Sequence, residues 1–154
     1  MRRLCWIVRI LCAAGAIVLP GSRAEAATCS ISTTAVAFGT YDVFSVTSAD
    51  TTGTISFSCN GNARNIVITL SKGASTTFNP RAMAGPSDTL DYNLYSDAAR
   101  STIWGDGTGS TSTYTNASPP NNSTIVVTIF ARAAAGQDVR AGTYTDTVTA
   151  IINF

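Results

Sequence analysis

The amino-acid sequence predicts an all-β domain that folds as an antiparallel sandwich. Apolar and polar residues alternate with the period of a strand, for example Ile55 and Phe57 on one face and Ser56 and Ser58 on the other. Turn residues separate the alternating runs at intervals of roughly a dozen residues. A helical period is hardly present, since the one short candidate, residues 131–137, ends near a glycine and is interpreted as a loop or single turn.

The first four predicted strands cover residues 29–37, 52–59, 66–70 and 90–94. In each strand the apolar residues fall on alternate positions, so one face points to the core and the other is mostly polar. The second strand ends at the turn Asn60-Gly61-Asn62 and the third ends at Lys72-Gly73, where glycine lets the backbone reverse.

The last three predicted strands are less uniform. Residues 103–104 form a short apolar piece that runs into the glycine-rich segment 105–109. Residues 125–131 are apolar on both faces, so we expect this strand to lie in the centre of a sheet. Residues 143–154 form the longest amphipathic strand, with Thr residues on one face. Its apolar face carries Tyr144, Val148, Ala150, Ile152 and Phe154.

Residues 1–26 are predicted to be a secretory signal peptide. A basic start at residues 1–3 precedes an apolar stretch at 4–19, and Ala24-Glu25-Ala26 has the form of a cleavage site. A retained membrane helix is the alternative, but Arg9 interrupts the apolar stretch, which is shorter than the roughly 20 residues that a span needs. Residues 27–154 are then one mature domain without a membrane span.

Signal cleavage would remove Cys5 and Cys12 and leave Cys29 and Cys59. In an oxidising compartment two cysteines have one possible pairing, so we expect a Cys29–Cys59 disulfide. Closing a loop of about 30 residues stabilises a domain by roughly 3 to 4 kcal/mol in the chain-entropy model.

The composition of the predicted mature chain excludes several classes of function. It has six basic and eight acidic residues, a net charge of 6 − 8 = −2, and neither His nor Glu. This weakly acidic chain lacks a positively charged patch that could bind nucleic acids or anionic membranes. A serine nucleophile would have no imidazole base, and two cysteines without histidine cannot close a zinc site. We therefore predict no catalytic residue, no metal and no cofactor.

Three alternatives are weighed against this prediction. Two carboxylates that are distant in sequence can lie close together in the fold and hydrolyse a glycoside. The candidate acidic residues do not have the spacing of a calcium-binding loop. These candidates are Asp88, Asp91, Asp97 and Asp106. Trp104, with Tyr95 and Tyr114 nearby, would suit a free carbohydrate-binding module, or else Trp104 plugs one end of the sandwich. Residues 105–109 could be a phosphate loop, but the β-prone residues after them favour a hairpin loop.

The predicted strand at 143–154 has no following strand to cover its outer edge. It contains neither Pro nor Lys, which protect exposed edges, and its only charge is Asp146. Either the N-terminal strand or another polypeptide must therefore cover this edge.

Several segments resemble the spore coat U domain, which is the domain of archaic chaperone-usher pilus subunits. The similar segments are residues 38–42, 90–100, 103–109, 135–137 and 141–148, together with Cys29 and Cys59. The resemblance extends over nearly the whole predicted mature chain.

The resemblance implies an incomplete immunoglobulin-like sandwich that lacks its final strand. A periplasmic chaperone, and later the N-terminal extension of a neighbouring pilin subunit, would supply the strand by β-augmentation, and an outer-membrane usher would assemble the fibre. The apolar face of residues 143–154 would be the edge that accepts the strand. The protein would pass through the periplasm to a pilus or coat at the surface, as a structural or adhesive subunit.

One departure from the family concerns the N-terminus. Shaft subunits of this kind carry a donor segment of about ten or more residues ahead of the first cysteine. With cleavage after Ala26, only Ala27 and Thr28 would precede Cys29. We therefore expect a subunit that accepts a strand but donates none, which suits a fibre tip or a secreted coat protein.

Overall fold

A computed structural model describes residues 26–154 as an all-β domain of eight strands. Apart from Ala26, the predicted signal peptide lies outside the described residues. In chain order the strands are β1 (Thr28–Thr33), β2 (Ala49–Asn60), β3 (Ile66–Leu70), β4 (Arg81–Ala84), β5 (Thr89–Tyr95), β6 (Tyr114–Asn116), β7 (Thr124–Ala133) and β8 (Ala150–Asn153). Residues 26–154 contain no helix, so the predicted fold class is confirmed.

Two antiparallel sheets enclose one hydrophobic core. The larger sheet has the order β1-β2-β7-β5-β4, and the smaller sheet has the order β6-β3-β8. Buried side chains from both sheets form a single cluster that includes Ile55, Phe57, Ile68 and Ile129. Strand β7 lies between β2 and β5, which confirms the central position predicted from its two apolar faces.

The predicted strand at 143–154 is wrong in its extent. Only Ala150–Asn153 pairs as a strand, with β3, whereas Thr145 forms an isolated bridge with Ala84 at the end of β4. Strand β3 ends at Leu70, so residues 146–149 have no adjacent strand with which to form a ladder. Period-2 alternation indicates an extended backbone, but a strand also needs a neighbour along its whole length.

Two further differences concern short elements. The sequence analysis missed β4 and β6, which have four and three residues and are too short for a clear alternation. Residues 103–104, predicted as a strand, form only isolated bridges: Ile103 pairs with Tyr95, and Trp104 pairs with Ser112. Residues 131–137 form the end of β7 and a loop with Gly136 at φ +74°.

The disulfide between Cys29 and Cys59 is present and joins the first two strands. The two residues are direct partners in the β1–β2 ladder, with their Cα atoms 4.1 Å apart. It therefore ties the edge strand β1 to β2, within the six-residue ladder that the two strands share.

Trp104 is a core residue. Its side chain is fully buried (0% exposed), and its indole Nε1 donates a hydrogen bond to the Ile68 carbonyl oxygen at 3.0 Å. Its ring centroid lies 6.2 Å from that of Tyr114. The interpretation of Trp104 as a sugar-stacking platform is therefore wrong, because a sugar cannot reach the ring.

The most unusual core residue is Arg81, a charged side chain with 0% exposure. Its guanidinium donates to the Ser71 carbonyl at 3.0 Å, to Asn93 Oδ1 at 2.8 Å and to the Trp104 carbonyl at 2.7 Å. Burial lowers the pKa of Arg81, but the planar group stays charged, because its ordinary value is so high. One side chain thus bonds to oxygens from three separate chain segments.

We expect Arg81→Lys to lower the free energy of unfolding by about 2 to 4 kcal/mol, because an ammonium group cannot reach all three oxygens and leaves buried acceptors unpaired. Urea unfolding of the mature protein bound to a donor-strand peptide, followed by the fluorescence of Trp104, measures this free energy. Arg140→Lys is the matched control, because its side chain is 77% exposed. Equal midpoints for the two variants would contradict the structural role of Arg81.

Candidate functional site: a groove between two sheet edges

Four strands lie at the margins of the two sheets, and two of them, β1 and β8, lie on the same side of the molecule. Among residues 26–154, β1 pairs only with β2 and β8 pairs only with β3. Unpaired edges present backbone N–H and C=O groups that can accept a further strand. The candidate site is therefore a pair of open sheet edges rather than a cluster of reactive side chains.

A groove of about 360 Å³ opens between these two edges. Its floor is made of core side chains that belong to both sheets: Ile55, Leu70, Met83, Tyr92, Leu94 and Ile129. One wall consists of residues 33–36 and Phe38, and the other consists of residues 144–148 and Ala150. The groove thus presents an apolar floor between two lengths of extended backbone.

The first wall continues the line of β1 along β2. The Thr34 amide donates to the Thr54 carbonyl at 2.9 Å, and the Thr54 amide donates to Thr34 Oγ1 at 2.8 Å. Gly53 lets the wall approach closely, since a Cβ there would lie only 2.7 Å from Val36 Cγ2. Any side chain at position 53 would push this wall outwards.

The second wall is a strap of residues 143–149, held at two points by backbone hydrogen bonds. Ala84 and Thr145 exchange N–H···O bonds of 2.8 and 3.0 Å. The Ser71 amide donates to the Thr149 carbonyl at 2.9 Å, and Ser71 Oγ accepts from the Thr149 amide at 2.9 Å. The strap is therefore attached to β4 at one end and to the residue after β3 at the other.

Asp146 fastens the middle of the strap. One carboxylate oxygen accepts from the Ala74 amide at 2.8 Å, and the other accepts from the Tyr92 hydroxyl at 2.6 Å. Burial, together with this bond to Asp146, raises the pKa of Tyr92, so the phenol stays protonated and remains a donor. Gly73 makes room for the carboxylate, because a Cβ there would lie 2.0 Å from Asp146 Oδ2.

The residues predicted to form the acceptor edge lie in three different environments. Tyr144, Val148 and Ala150 line the groove. Ile152 packs against the core in register with Ile68, and Phe154 is exposed. The sequence analysis missed the opposite wall, at residues 33–38, although the segment 38–42 stood out as similar to a family motif.

A second, larger cavity of about 860 Å³ continues the groove at one end. It lies between residues 36–44 and residues 139–144. The cavity shares Val36, Phe38, Met83 and Tyr144 with the groove, so the two form one continuous depression along the open side of the sandwich.

Two of the four acidic residues considered for catalysis, Asp97 and Asp106, hold loops together. Asp97 accepts from the amides of Ser101 and Thr102, and Asp106 accepts from the amide and the hydroxyl of Thr108. No group of three or more potential metal ligands occurs in the described part of the chain. Within that part there is also no helix long and apolar enough to span a membrane.

Comparisons with known proteins point to one family. The family model of the Spore Coat Protein U domain matches residues 19–151, so the match begins ahead of the predicted cleavage site. Protein U of Myxococcus xanthus is 36% identical over 130 residues, which cover 76% of this chain and 70% of that protein.

A solved structure has a similar fold, with a TM-score of 0.62 and 24% sequence identity. It is described as the CsuC–CsuE chaperone–tip adhesion subunit pre-assembly complex from archaic chaperone-usher Csu pili of Acinetobacter baumannii. The match covers 84% of this chain but 40% of that chain.

We expect Gly73→Ala to weaken the second wall, because the new methyl group would occupy the place of the Asp146 carboxylate. Gly136→Ala is the matched control: Gly136 has φ +74° against +68° for Gly73, but nothing lies within 4 Å of the place that a Cβ would take there. Both variants should lose about 1 to 3 kcal/mol through backbone strain, and Gly73→Ala should lose at least about 1 kcal/mol more. Urea unfolding measures the difference, and equal losses would contradict the role of Asp146.

Proposed function

Because this chain belongs to the Spore Coat Protein U domain family, we propose that it is a structural or adhesive subunit of a surface pilus or coat, completed by a strand that another polypeptide donates. The groove between β1 and β8 is the observation that carries the proposal. Its floor is apolar, and the marginal strands β1 and β8 border it. These are the features that β-augmentation requires.

A donated strand would supply what the sandwich lacks. Its backbone would pair with the free edge of β8 and the strap, and its alternate side chains would point to the floor. Each apolar side chain buried in this way would stabilise the domain by about 1.5 to 3 kcal/mol. Several of them together would match the total stability of an ordinary domain, about 5 to 15 kcal/mol.

The proposed partners are a periplasmic chaperone, an outer-membrane usher and a neighbouring subunit. The chaperone would fill the groove first and the neighbouring subunit would replace it, while the usher would carry the growing assembly outwards. The protein would accordingly be periplasmic in transit and then lie at the cell surface. The similar solved complex, which pairs a chaperone with a pilus subunit, supports this assignment of partners. The family favours a structural role over an enzymatic one.

Expressed alone in the periplasm, the protein should aggregate or be degraded, because its groove remains open. Coexpressed with the chaperone encoded by the same organism, it should give a soluble one-to-one complex, measured by size-exclusion chromatography with light scattering. Val148→Asp places a charge in the groove wall and should abolish the complex, whereas Ile151→Asp, on the exposed face of β8, should preserve it. A soluble monomer that melts cooperatively above about 60 °C without a donated strand would overturn the proposal.

We also place the subunit at a fibre end or in a coat outside fibres. Residues 26 and 27 lie against the turn after β2, where a Cβ on Gly61 would come within 2.8 Å of Ala27 Cα. Ala27 therefore belongs to the domain, and with cleavage after Ala26 no donor segment would precede it. This placement rests on the predicted cleavage site.

N-terminal sequencing of the secreted protein should give a start at Ala27, and immunogold labelling should mark one end of each fibre. A start near Ile17 would add a segment able to donate a strand and would overturn the terminal position. Labelling along whole fibres would overturn it as well. If the protein is secreted but the antibody never labels fibres, the result would favour a role in a coat outside fibres.

A further inference from the structure

The loop of residues 42–47 carries the two most exposed large apolar side chains among residues 26–154. Phe44 is 90% exposed and Val46 is 94% exposed, whereas Val126 on the outer face of β7 is 61% exposed. Scattered half-exposed apolar residues are ordinary on a protein surface, but two nearly complete exposures in one short loop need a reason.

Hydrogen bonds hold this loop in shape. The Phe44 amide donates to Asp42 Oδ1 at 3.0 Å, the Ser45 amide donates to the Asp42 carbonyl at 3.1 Å, and the Thr47 amide donates to Ser45 Oγ at 3.1 Å. At its base, Tyr41 donates to the Ala134 carbonyl at 2.6 Å. The loop therefore presents Phe44 and Val46 in a defined arrangement, which lowers the entropy lost when they bind.

The loop also lies at one end of the open depression. Residues 36–44 and 139–144 line its second cavity, and Phe44 is the last residue of the first of these segments. The loop is thus continuous with the surface on which a donated strand would lie.

Strand polarity decides which end of a donated strand reaches this loop. Every ladder of the two sheets is antiparallel, and antiparallel pairing is slightly the more stable kind. A strand antiparallel to β8 would begin beside Asn153 and end beside Tyr144 and the second cavity. If the strand is an N-terminal extension, the folded body of its own subunit follows directly at that end.

We propose that the loop of residues 42–47 is a second contact between subunits, in which Phe44 and Val46 pack against the folded body of the subunit that donates the strand. This inference rests on the proposed function, because it needs a donated strand. The partner surface would be an apolar depression near the base of the donor segment. The loop would set the angle between consecutive subunits, which a strand joined by a flexible linker does not set alone.

The experiment compares a donor peptide with an intact donor. The peptide is a synthetic copy of the N-terminal segment of a shaft subunit from the same organism. The intact donor is that shaft subunit with its own groove closed by a covalently linked strand and its N-terminal segment free. Each is loaded into the immobilised protein by displacing the chaperone, and its dissociation rate is measured.

For the double variant Phe44→Ser, Val46→Ser, the intact donor should dissociate about tenfold faster or more, since buried aromatic anchors dominate interfaces. The peptide should dissociate at the unchanged rate, within about twofold, because it has no folded body. The matched control Val126→Ser, Ile151→Ser removes exposed apolar side chains from the outer faces of the two sheets and should change neither rate.

Three results would count against the inference. An unchanged rate for the intact donor would overturn it and leave the proposed function in place. Equal acceleration of peptide and intact donor would also overturn it, because the loop would then act on the groove itself. Failure of the peptide to bind the unsubstituted protein would overturn the proposed function, and the inference with it.

Discussion

Backbone amides and carbonyls at an open sheet edge need hydrogen-bond partners, and apolar side chains beneath that edge need cover from water. Both needs converge on one side of this protein, where β1 and β8 lie at the margins of different sheets. The opposite margins of the two sheets are β4 and β6. The open side therefore governs both the stability of the domain and what it is suited to bind.

Hydrogen bonds and a disulfide within the domain hold the two walls of the groove in position. The Cys29–Cys59 disulfide and the bonds between Thr34 and Thr54 hold the first wall against β2. Asp146 holds the second wall, because its carboxylate bonds to Tyr92 in one sheet and to Ala74 in the connection that follows β3. A preformed groove lowers the entropy cost of accepting a strand.

The interior and the surface of the domain fit an assembly role in different ways. Inside, Arg81 and Trp104 connect distant segments through hydrogen bonds to backbone oxygens, which makes the end of the sandwich rigid. Outside, several charged groups pair with one another, as Asp50 does with Arg132 at 2.7 Å. The internal hydrogen bonds fix the shape of the domain around its open side.

The sequence by itself determined the class of fold, and it predicted residues 143–154 as an edge that another strand could cover. Alternation at period 2 is a local property, so the buried face of a strand, for example that of Ile55 and Phe57, can be predicted without knowing the rest of the chain. The unprotected character of residues 143–154 was visible for the same reason, since a strand without Pro or Lys is recognisable from its own composition. The pairing of Cys29 with Cys59 followed from counting.

Only the tertiary structure decided where the groove lies and what shapes it. Three features depend on residues that are far apart in the chain. They are the wall at residues 33–38, the contact of Asp146 with Gly73, and the burial of Arg81. The role of Trp104 could not be predicted from sequence for the same reason. An aromatic residue beside a glycine-rich loop has the same sequence pattern whether it stacks on a sugar or fills a core, and Trp104 is buried. Residues 143–149 look like a strand, yet pairing requires a neighbour, and β3 ends before it reaches them. Local sequence specifies the conformation of a segment, whereas long-range packing specifies its partners.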